Sequence, residues 1–276
     1  MTVRGLLVAA TEELERAGVP SPRVDAEWLL AHTLGISRTM LYTNGDDAPV
    51  DRERVFWKLV TRRATREPLA YVLGEWGFRR LTLHVDPRVL IPRPETESVV
   101  ERCLELLAGL AEPRVLDIGV GSGAIALAIA DEHPGASVVA TDNSAGALAV
   151  AEENRAGAGL EDRVELVHGE LFAGQEGPFD LVVSNPPYVD ADELESLEPE
   201  VARFEPLEAL VAHGVTEAIA EHALPRLAPG APLVLETADN EARDLAALLS
   251  GLGYQDVRIG EDLAGRERVV DGRAPR

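Results

Sequence analysis

The 276-residue sequence has a single cysteine, Cys103, so no internal disulfide can form and a reducing cytosol is the expected home. No apolar run approaches membrane-spanning length. The N-terminal stretch MTVRGLLVAATEELERAG breaks its apolar residues with charge every few positions, unlike a signal peptide. A soluble cytoplasmic protein with no membrane partner is expected. The six histidines share no metal-like spacing, so no metal is expected, and Cys103 has only Arg102 as a close basic neighbour, which argues against a nucleophilic thiol. Internal repeats and low-complexity segments are absent. Positive charge is scarce: 26 Lys and Arg face 48 Asp and Glu, a net charge of −22. Residues 1–80 hold 12 basic and 11 acidic side chains (+1), whereas residues 81–276 hold 14 and 37 (−23). Such a surface repels phosphate backbones, so direct nucleic-acid binding is not expected, while a basic protein partner is attracted. Solubility alone would account for the same acidity.

What is present is a hydrophobic fraction of 46%, enough for two domains or one large one. TVRGLLVAATEELERAG, SPRVDAEWLLAHTLG and DRERVFWKLVTRRATRE carry apolar residues at helical spacing, with Thr2, Ser21 and Asp51 placed as N-caps. Residues 1–74 are thus expected to form a helical bundle. Arg52, Arg54, Lys58, Arg62, Arg63 and Arg66 make its third helix strongly basic, and a solvated face is favoured over contact with a partner. WGFRRLTLHVDPRVLIP alternates like a strand pair, giving a β-hairpin linker over 75–93, and Pro94 opens a helix. From residue 113 onward strands and helices alternate: RVLDIG, a helix from Ala124, ASVVATD, a helix from Ala145, VELVHG, FDLVVSN, a helix near 214–227, PLVLET, a helix over 239–252, DVRIG and RERVV. This succession predicts, over 94–276, a doubly wound α/β sheet whose last strands are antiparallel.

VLDIGVGSGAIALAIA is the first stretch with chemistry in it. A buried strand ends in Asp117, and Gly119, Gly121 and Gly123 let the backbone turn sharply and approach a ligand at the start of a helix. Asp142 closes the next strand, where a carboxylate can accept both hydroxyls of a ribose. Gly119, Gly121 and Ala124 also satisfy the permissive G-x-G-x-x-G/A pattern, so the glycines alone do not choose between NAD and another adenosine cofactor. A tight strand-to-helix turn would use the same residues.

The choice comes from SNPPY, residues 184–188, at the end of the FDLVV strand. Each proline fixes its own φ and holds the preceding residue extended, so Asn185 and Pro186 are stiff. Ligands of a doubly wound sheet lie off the carboxyl ends of its strands, so Asn185 should face whatever Gly119–Gly123 and Asp142 hold. Hydride transfer has no obvious use for such a corner, whereas methyl transfer to a planar NH2 group does. The lone pair of that nitrogen is delocalised, and acceptors in line with its two N–H bonds, the Asn185 Oδ1 and the Pro186 carbonyl, would orient it. Tyr188 would add an apolar wall. As structure alone, N-P-P-Y is a turn that ends a strand.

VLDIGVGSGAI, TDNS and SNPPY resemble the S-adenosylmethionine sites of class I methyltransferases. The SNPPY form is similar to that of enzymes acting on planar NH2 groups. EPLAYVLGEWGF (67–78), VLIPRPETE (89–97), FEPLEAL (204–210) and DLAGRERVV (262–270) stand in the order of one branch, and the likeness covers nearly the whole chain. That branch is the HemK/PrmC protein-(glutamine-N5) methyltransferases, which modify the Gly-Gly-Gln loop of class I peptide-chain release factors. The resemblance implies a Rossmann-like class I methyltransferase domain after a helical domain that docks the substrate. It also implies S-adenosylmethionine as cofactor and a release factor as partner. It puts Asp117, Gly119, Val120, Gly121, Ser122, Gly123, Asp142, Leu171 and Asn185 on the cofactor. Asn185, Pro186, Pro187 and Tyr188 fall on the glutamine, and Arg93, Glu95 and Glu97 on the wall beside it, with Glu205 and Pro206 nearby. Three stretches depart from the family pattern. Glu170-Leu171-Phe172 replaces a frequent Asp-Trp-Phe, so the adenine is expected to lose an aromatic neighbour; AHGVT (212–216) replaces Gly-Gly-x-Asp-Gly; and LETA (235–238) replaces LEIG. An exocyclic base amine of nucleic acid and a ribosomal-protein glutamine are the alternative acceptors. The −23 charge stands against the first and the intact PRPETE against the second. A non-catalytic cofactor-binding partner is a further alternative, against which Asn185 argues.

Overall fold

The computed structural model describes residues 2–42, 50–211 and 213–276, without the side chains of Val50, Asp51, Ala191 and Glu195. The chain divides into two compact units, residues 1–75 with Leu197–Phe204, and Trp76–Ser196 with Glu205–Arg276. The first unit contains α1 (Val3–Arg16), α2 (Pro22–Leu34), α3 (Val50–Ala64) and the one-turn α4 (Leu69–Leu73). Apolar residues three and four apart put Leu6, Leu7, Ala10 and Leu14 of α1 on one stripe. They pack against Leu29 and Leu30 of α2 and Phe56 and Val60 of α3. Thr2 caps α1 by accepting the Gly5 amide at 3.1 Å. Ser21 precedes α2 without a side-chain bond, the helix start being set by Pro22. The expected cap Asp51 lies outside the described side chains.

Arg52, Arg54, Lys58 and Arg62 are exposed, as a solvated basic face would have it, but Arg63 and Arg66 at its end are not. Arg63 is only 4% exposed; its Nε donates to Asp25 Oδ2 at 2.7 Å and its Nη2 to Glu200 Oε1 at 2.8 Å. Arg66 donates to the same Glu200 carboxylate at 2.7 and 2.5 Å, and Arg62 pairs with Glu67. Glu200 stands 137 residues beyond Arg63, so no local window of sequence shows the carboxylate that these two guanidinium groups share.

The second unit opens with the hairpin β1 (Glu75–Phe78) and β2 (Leu81–His84), followed by α5 (Thr96–Leu107). The alternating part is β3 (Arg114–Ile118), α6 (Ala124–Glu132), β4 (Ser137–Asp142), α7 (Ala145–Ala158), β5 (Val164–His168) and β6 (Leu181–Ser184). Then come α8 (Pro199–Phe204), which is part of the first unit, α9 (Val215–Ala223), β7 (Pro232–Glu236), α10 (Ala242–Leu252), β8 (Gln255–Glu261) and β9 (Glu267–Arg273). The expected strands and helices of this unit occur within a few residues of their expected limits. The differences are at element ends: the hairpin strands stop at His84, α5 starts at Thr96 rather than Pro94, with Pro94 and Glu95 in a turn, α9 ends at Ala223 before a short 3-10 turn, α10 starts at Ala242 rather than 239, and β9 runs on to Arg273.

The seven-stranded sheet has the order β5-β4-β3-β6-β7-β9-β8, parallel from β5 to β7, with β9 running antiparallel between β7 and β8. Both faces are covered. Val115, Val183 and Val234 point to a core with α5, α6 and α7, while Leu116, Val182, Leu233 and Leu235 point to a second core with α9 and α10. Burial on both sides is why these strands read as continuous apolar runs rather than alternating ones. Cys103 lies in the first core; burial foremost, then Asp117 and Asp271, pushes its thiol pKa up, which leaves it an inert packing residue.

Candidate active site

The strand order reverses between β3, which pairs with β4 on one side, and β6 on the other, the place where a crevice opens off the carboxyl ends. Ile118 of β3 and Ser184 of β6 are register partners, and the Ser184 hydroxyl donates to the Ile118 carbonyl at 2.7 Å. The residues that follow, Gly119 and Asn185, therefore leave the sheet side by side. This coupling brings the two sequence motifs to one cleft of about 210 Å³. Its lining includes Gly119, Val120, Gly121, Ser122, Asp142, Leu171, Asn185, Pro186, Pro187, Arg93 and Thr96.

The glycine loop is held from several sides. The amides of Gly119 and Val120 donate to the Thr141 carbonyl at 2.9 and 3.0 Å, and Gly121 donates to Asp142 Oδ2 at 2.9 Å. Asp142 Oδ1 accepts the Ser144 amide at 2.8 Å, so one carboxylate ties the ends of two strands together. Gly119, Gly121 and Gly123 have φ of +80°, +53° and +89°, a region that other residues rarely adopt. A Cβ on Gly119 or Gly121 would meet nothing within 4 Å, whereas one on Gly123 would lie 2.8 Å from Leu127 Cδ1. The first two glycines keep the cleft open, and the third lets α6 pack.

Beneath the loop, Asp117 is buried, and its Oδ2 accepts the Ala126 amide at 3.1 Å while Oδ1 has no partner. Burial foremost pushes its carboxyl up to about 8, opposed by the Ala126 bond, with Asp142 adding a lesser repulsion. Leu171 lines the cleft, its carbonyl accepting the Thr141 hydroxyl at 2.6 Å. The aromatic Phe172 instead sits in the second core with the Arg226 guanidinium 4.7 Å from its ring centroid.

Other sequence-derived candidates spread further. Arg93 reaches the cleft and donates from Nη2 to the buried Glu205 Oε1 at 2.6 Å. Glu95 is not in the lining and pairs with Arg266 at 2.5 Å, while Glu97 accepts the Arg79 amide at 2.9 Å on the side toward β1. Pro206 lines the cleft and Glu205 does not. Tyr188 turns its hydroxyl toward Glu236 Oε1 at 3.4 Å instead of walling the cleft, and burial foremost pushes its pKa up to about 12. The sequence reading passed over Thr96, whose Oγ1 accepts the Asn185 Nδ2 at 3.3 Å, although it stands inside the PRPETE stretch. It also passed over the buried Glu236. Among the described residues no group of three or more His, Cys, Asp or Glu is placed to hold a metal ion, and no helix is long and apolar enough to cross a membrane.

Comparison with known proteins bears on what this cleft does. Residues 5–74 match the model of the PrmC N-terminal domain and residues 100–204 that of the methyltransferase small domain. A release factor glutamine methyltransferase of Deinococcus radiodurans is 45% identical over 280 residues, covering 99% of each chain. One of Rhodopirellula baltica is 39% identical over 98% of this chain and 95% of its own. The crystal structure of a methyltransferase from Pyrococcus furiosus, 20% identical, superposes with a TM-score of 0.53 over 71% of this chain and 90% of its own, which speaks to the fold. The Rossmann-like class I methyltransferase fold is thereby accounted for from register, burial and likeness alike, and the chain belongs to the release factor glutamine methyltransferase family.

Proposed function

We propose that the protein transfers the methyl group of S-adenosylmethionine to the N5 amide of a glutamine in the Gly-Gly-Gln loop of class I peptide-chain release factors. The observation that carries this reading is that Gly119–Ser122, Asp142 and the Asn185–Pro187 corner line one cleft. The residues fit the cofactor: the space in front of Gly119 and Gly121 is what a Cβ would take up. Each Asp142 oxygen accepts one backbone amide and keeps capacity for a second donor, such as a ribose hydroxyl. Bound there, S-adenosylmethionine supplies an electrophilic methyl on a sulfonium. Val120, Ser122 and Leu171 complete its surroundings in this reading, whereas Asp117, expected on the cofactor, lies buried beneath the loop and outside the lining.

The chain's own contribution is orientation. A glutamine nitrogen is a weak nucleophile, and two fixed acceptors, Asn185 Oδ1 and the Pro186 carbonyl, hold its two N–H groups so that its face is presented to the methyl. Pro187 stiffens that corner, Tyr188 props it from behind, and Arg93 stands at the wall; the amide proton is released to water. Residues 1–74 are read as the part that docks the acceptor protein, 75–93 as the linker, and 94–276 as the part that carries out transfer. Asn185→Ala tests the reading: kcat is expected to fall about 10²-fold with cofactor affinity within a few-fold. Mass spectrometry of a co-expressed release factor should show one added methyl on the glutamine with the parent enzyme. A variant keeping more than about a third of the parent kcat would reduce the corner to a rigid turn.

A further inference from the structure

Glu236, the last residue of β7, is 1% exposed; its Oε1 faces the Tyr188 hydroxyl, while Oε2 is buried without a partner. A carboxyl in such a place costs stability and calls for a reason. It lies behind the corner, next to Tyr188 and Thr96, and Thr96 in turn holds Asn185. We propose that Glu236 and Thr96 are positioning residues that set which end of the Asn185 amide faces the acceptor nitrogen. The inference rests on the glutamine-transfer reading above, because only an acceptor bearing N–H groups distinguishes the two ends.

The reasoning follows donors and acceptors along the chain of side chains. An ionised carboxylate only accepts, so Glu236 takes the Thr96 hydroxyl proton in a hydrogen bond. The Thr96 oxygen is then left to accept, and it accepts from Asn185 Nδ2, as observed at 3.3 Å. With Nδ2 committed, Oδ1 is the end that remains for a substrate amide. The Tyr188 hydroxyl, donating to Glu236 Oε1 at 3.4 Å, reinforces the same polarity. A protonated Glu236 removes the constraint. Its O–H donates to Thr96, whose hydroxyl then donates to Asn185 Oδ1, and Nδ2 is turned toward an NH2 group with which it cannot bond.

Burial pushes the Glu236 carboxyl up to about 7, opposed by the Thr96 bond and by Arg268 on β9, with Glu95 at the start of α5 adding repulsion and Tyr188 a weak opposing bond. The switch between the two polarities thus falls in the range of ordinary assays, with the productive polarity on the alkaline side. Asp117 titrates nearby, at about 8, so the decisive comparison is between the parent and Glu236→Gln, which removes only one of the two groups.

Two measurements test this on the full chain. The first is NMR of selectively 15N-asparagine-labelled protein without ligands, with the Asn185 side-chain NH2 signal assigned by its loss in Asn185→Ala. That signal should move with a midpoint near pH 7 in the parent and stay fixed in Glu236→Gln. A parent signal that ignores pH between about 5.5 and 8.5, or an unchanged titration in Glu236→Gln, overturns the proposal. The second is kinetic: Thr96→Val should lower kcat at least about 10-fold with cofactor Kd within about threefold, and Thr96→Ser should recover kcat to within about threefold of the parent. Thr96→Val at more than about half the parent kcat, or Thr96→Ser no better than Thr96→Val, also overturns it. If the parent enzyme methylates no release factor, the proposed function falls, and the NMR titration still decides the orientation claim.

Discussion

Replacing Asp117 by Asn isolates the cost of keeping a carboxyl under the glycine loop. In the parent, Oδ2 accepts one amide and Oδ1 is unpartnered in a fully buried position, with a pKa raised from 3.8 to about 8. Because the folded value lies above the unfolded one, the stability at stake is fully present below about pH 3.8 and is lost as pH rises through about 8. At roughly 1.36 kcal/mol per unit, the loss is about 1.7 kcal/mol at pH 5 and about 5 kcal/mol at pH 8. An Asn keeps the acceptor for Ala126 and never ionises, but it buries an unpartnered NH2 at a cost of about 1 to 3 kcal/mol at every pH. The two proteins should therefore be nearly equal at pH 5, and Asp117→Asn should be more stable by about 2 to 4 kcal/mol at pH 8. Thermal melts of the ligand-free proteins would register that change as a Tm difference growing by roughly 7 to 14 °C between the two pH values. Titration of Glu236 and of the surface carboxylates is common to both and cancels. A stability difference constant within about 1 kcal/mol across the range would mean that Asp117 is not the buried acid described above.

Asp142→Ala should weaken cofactor binding by about 1.5 to 3 kcal/mol in calorimetric titration, the usual effect of losing charged hydrogen bonds; unchanged affinity would remove Asp142 from the site. Arg63→Met leaves the buried Asp25 without its cation while Glu200 keeps Arg66, and denaturant melts should show a loss of about 3 to 5 kcal/mol, far beyond that of a surface pair. Gly135→Ala would place its Cβ 1.7 Å from the Ala111 carbonyl oxygen, so a loss of at least about 2 kcal/mol is expected in the same assay. A free Gly-Gly-Gln peptide should be methylated with kcat/KM at least about 10²-fold below that of the whole release factor, and equal values would deny the helical unit a docking role.

The sheet was legible because its strands are buried on both faces, so that RVLDI, SVVAT, LVVS and PLVLE each stand out as short apolar runs between glycine and proline signals. The rule that ligands gather off the carboxyl ends then predicted that Gly119 and Asn185 would share a cleft, which their register places side by side. Side-chain direction was not legible. Whether Glu95 and Glu97 face the cleft depends on the turn at Pro94 and Glu95, which delays α5 to Thr96 and sends the two carboxylates toward Arg266 and Arg79. Tyr188 was hidden for a similar reason, since its direction is set by Glu236 on a strand 48 residues away. The pairing of Arg63 and Arg66 with Glu200 was invisible because it depends on α8, a six-residue helix too short to carry a periodicity of its own.

The place of α8 bears on how the protein is made. Residues 1–75 leave the ribosome first, but the carboxylate shared by Arg63 and Arg66 is 137 residues behind Arg63. At about 5 to 20 residues per second, synthesis reaches Glu200 some 7 to 27 s after Arg63. For that interval the helical unit exists with two of its guanidinium groups short of a partner. Its completion waits on the segment that follows the Asn185 corner, so the first part of the chain to be synthesised cannot finish folding until more than 190 residues have followed its first one.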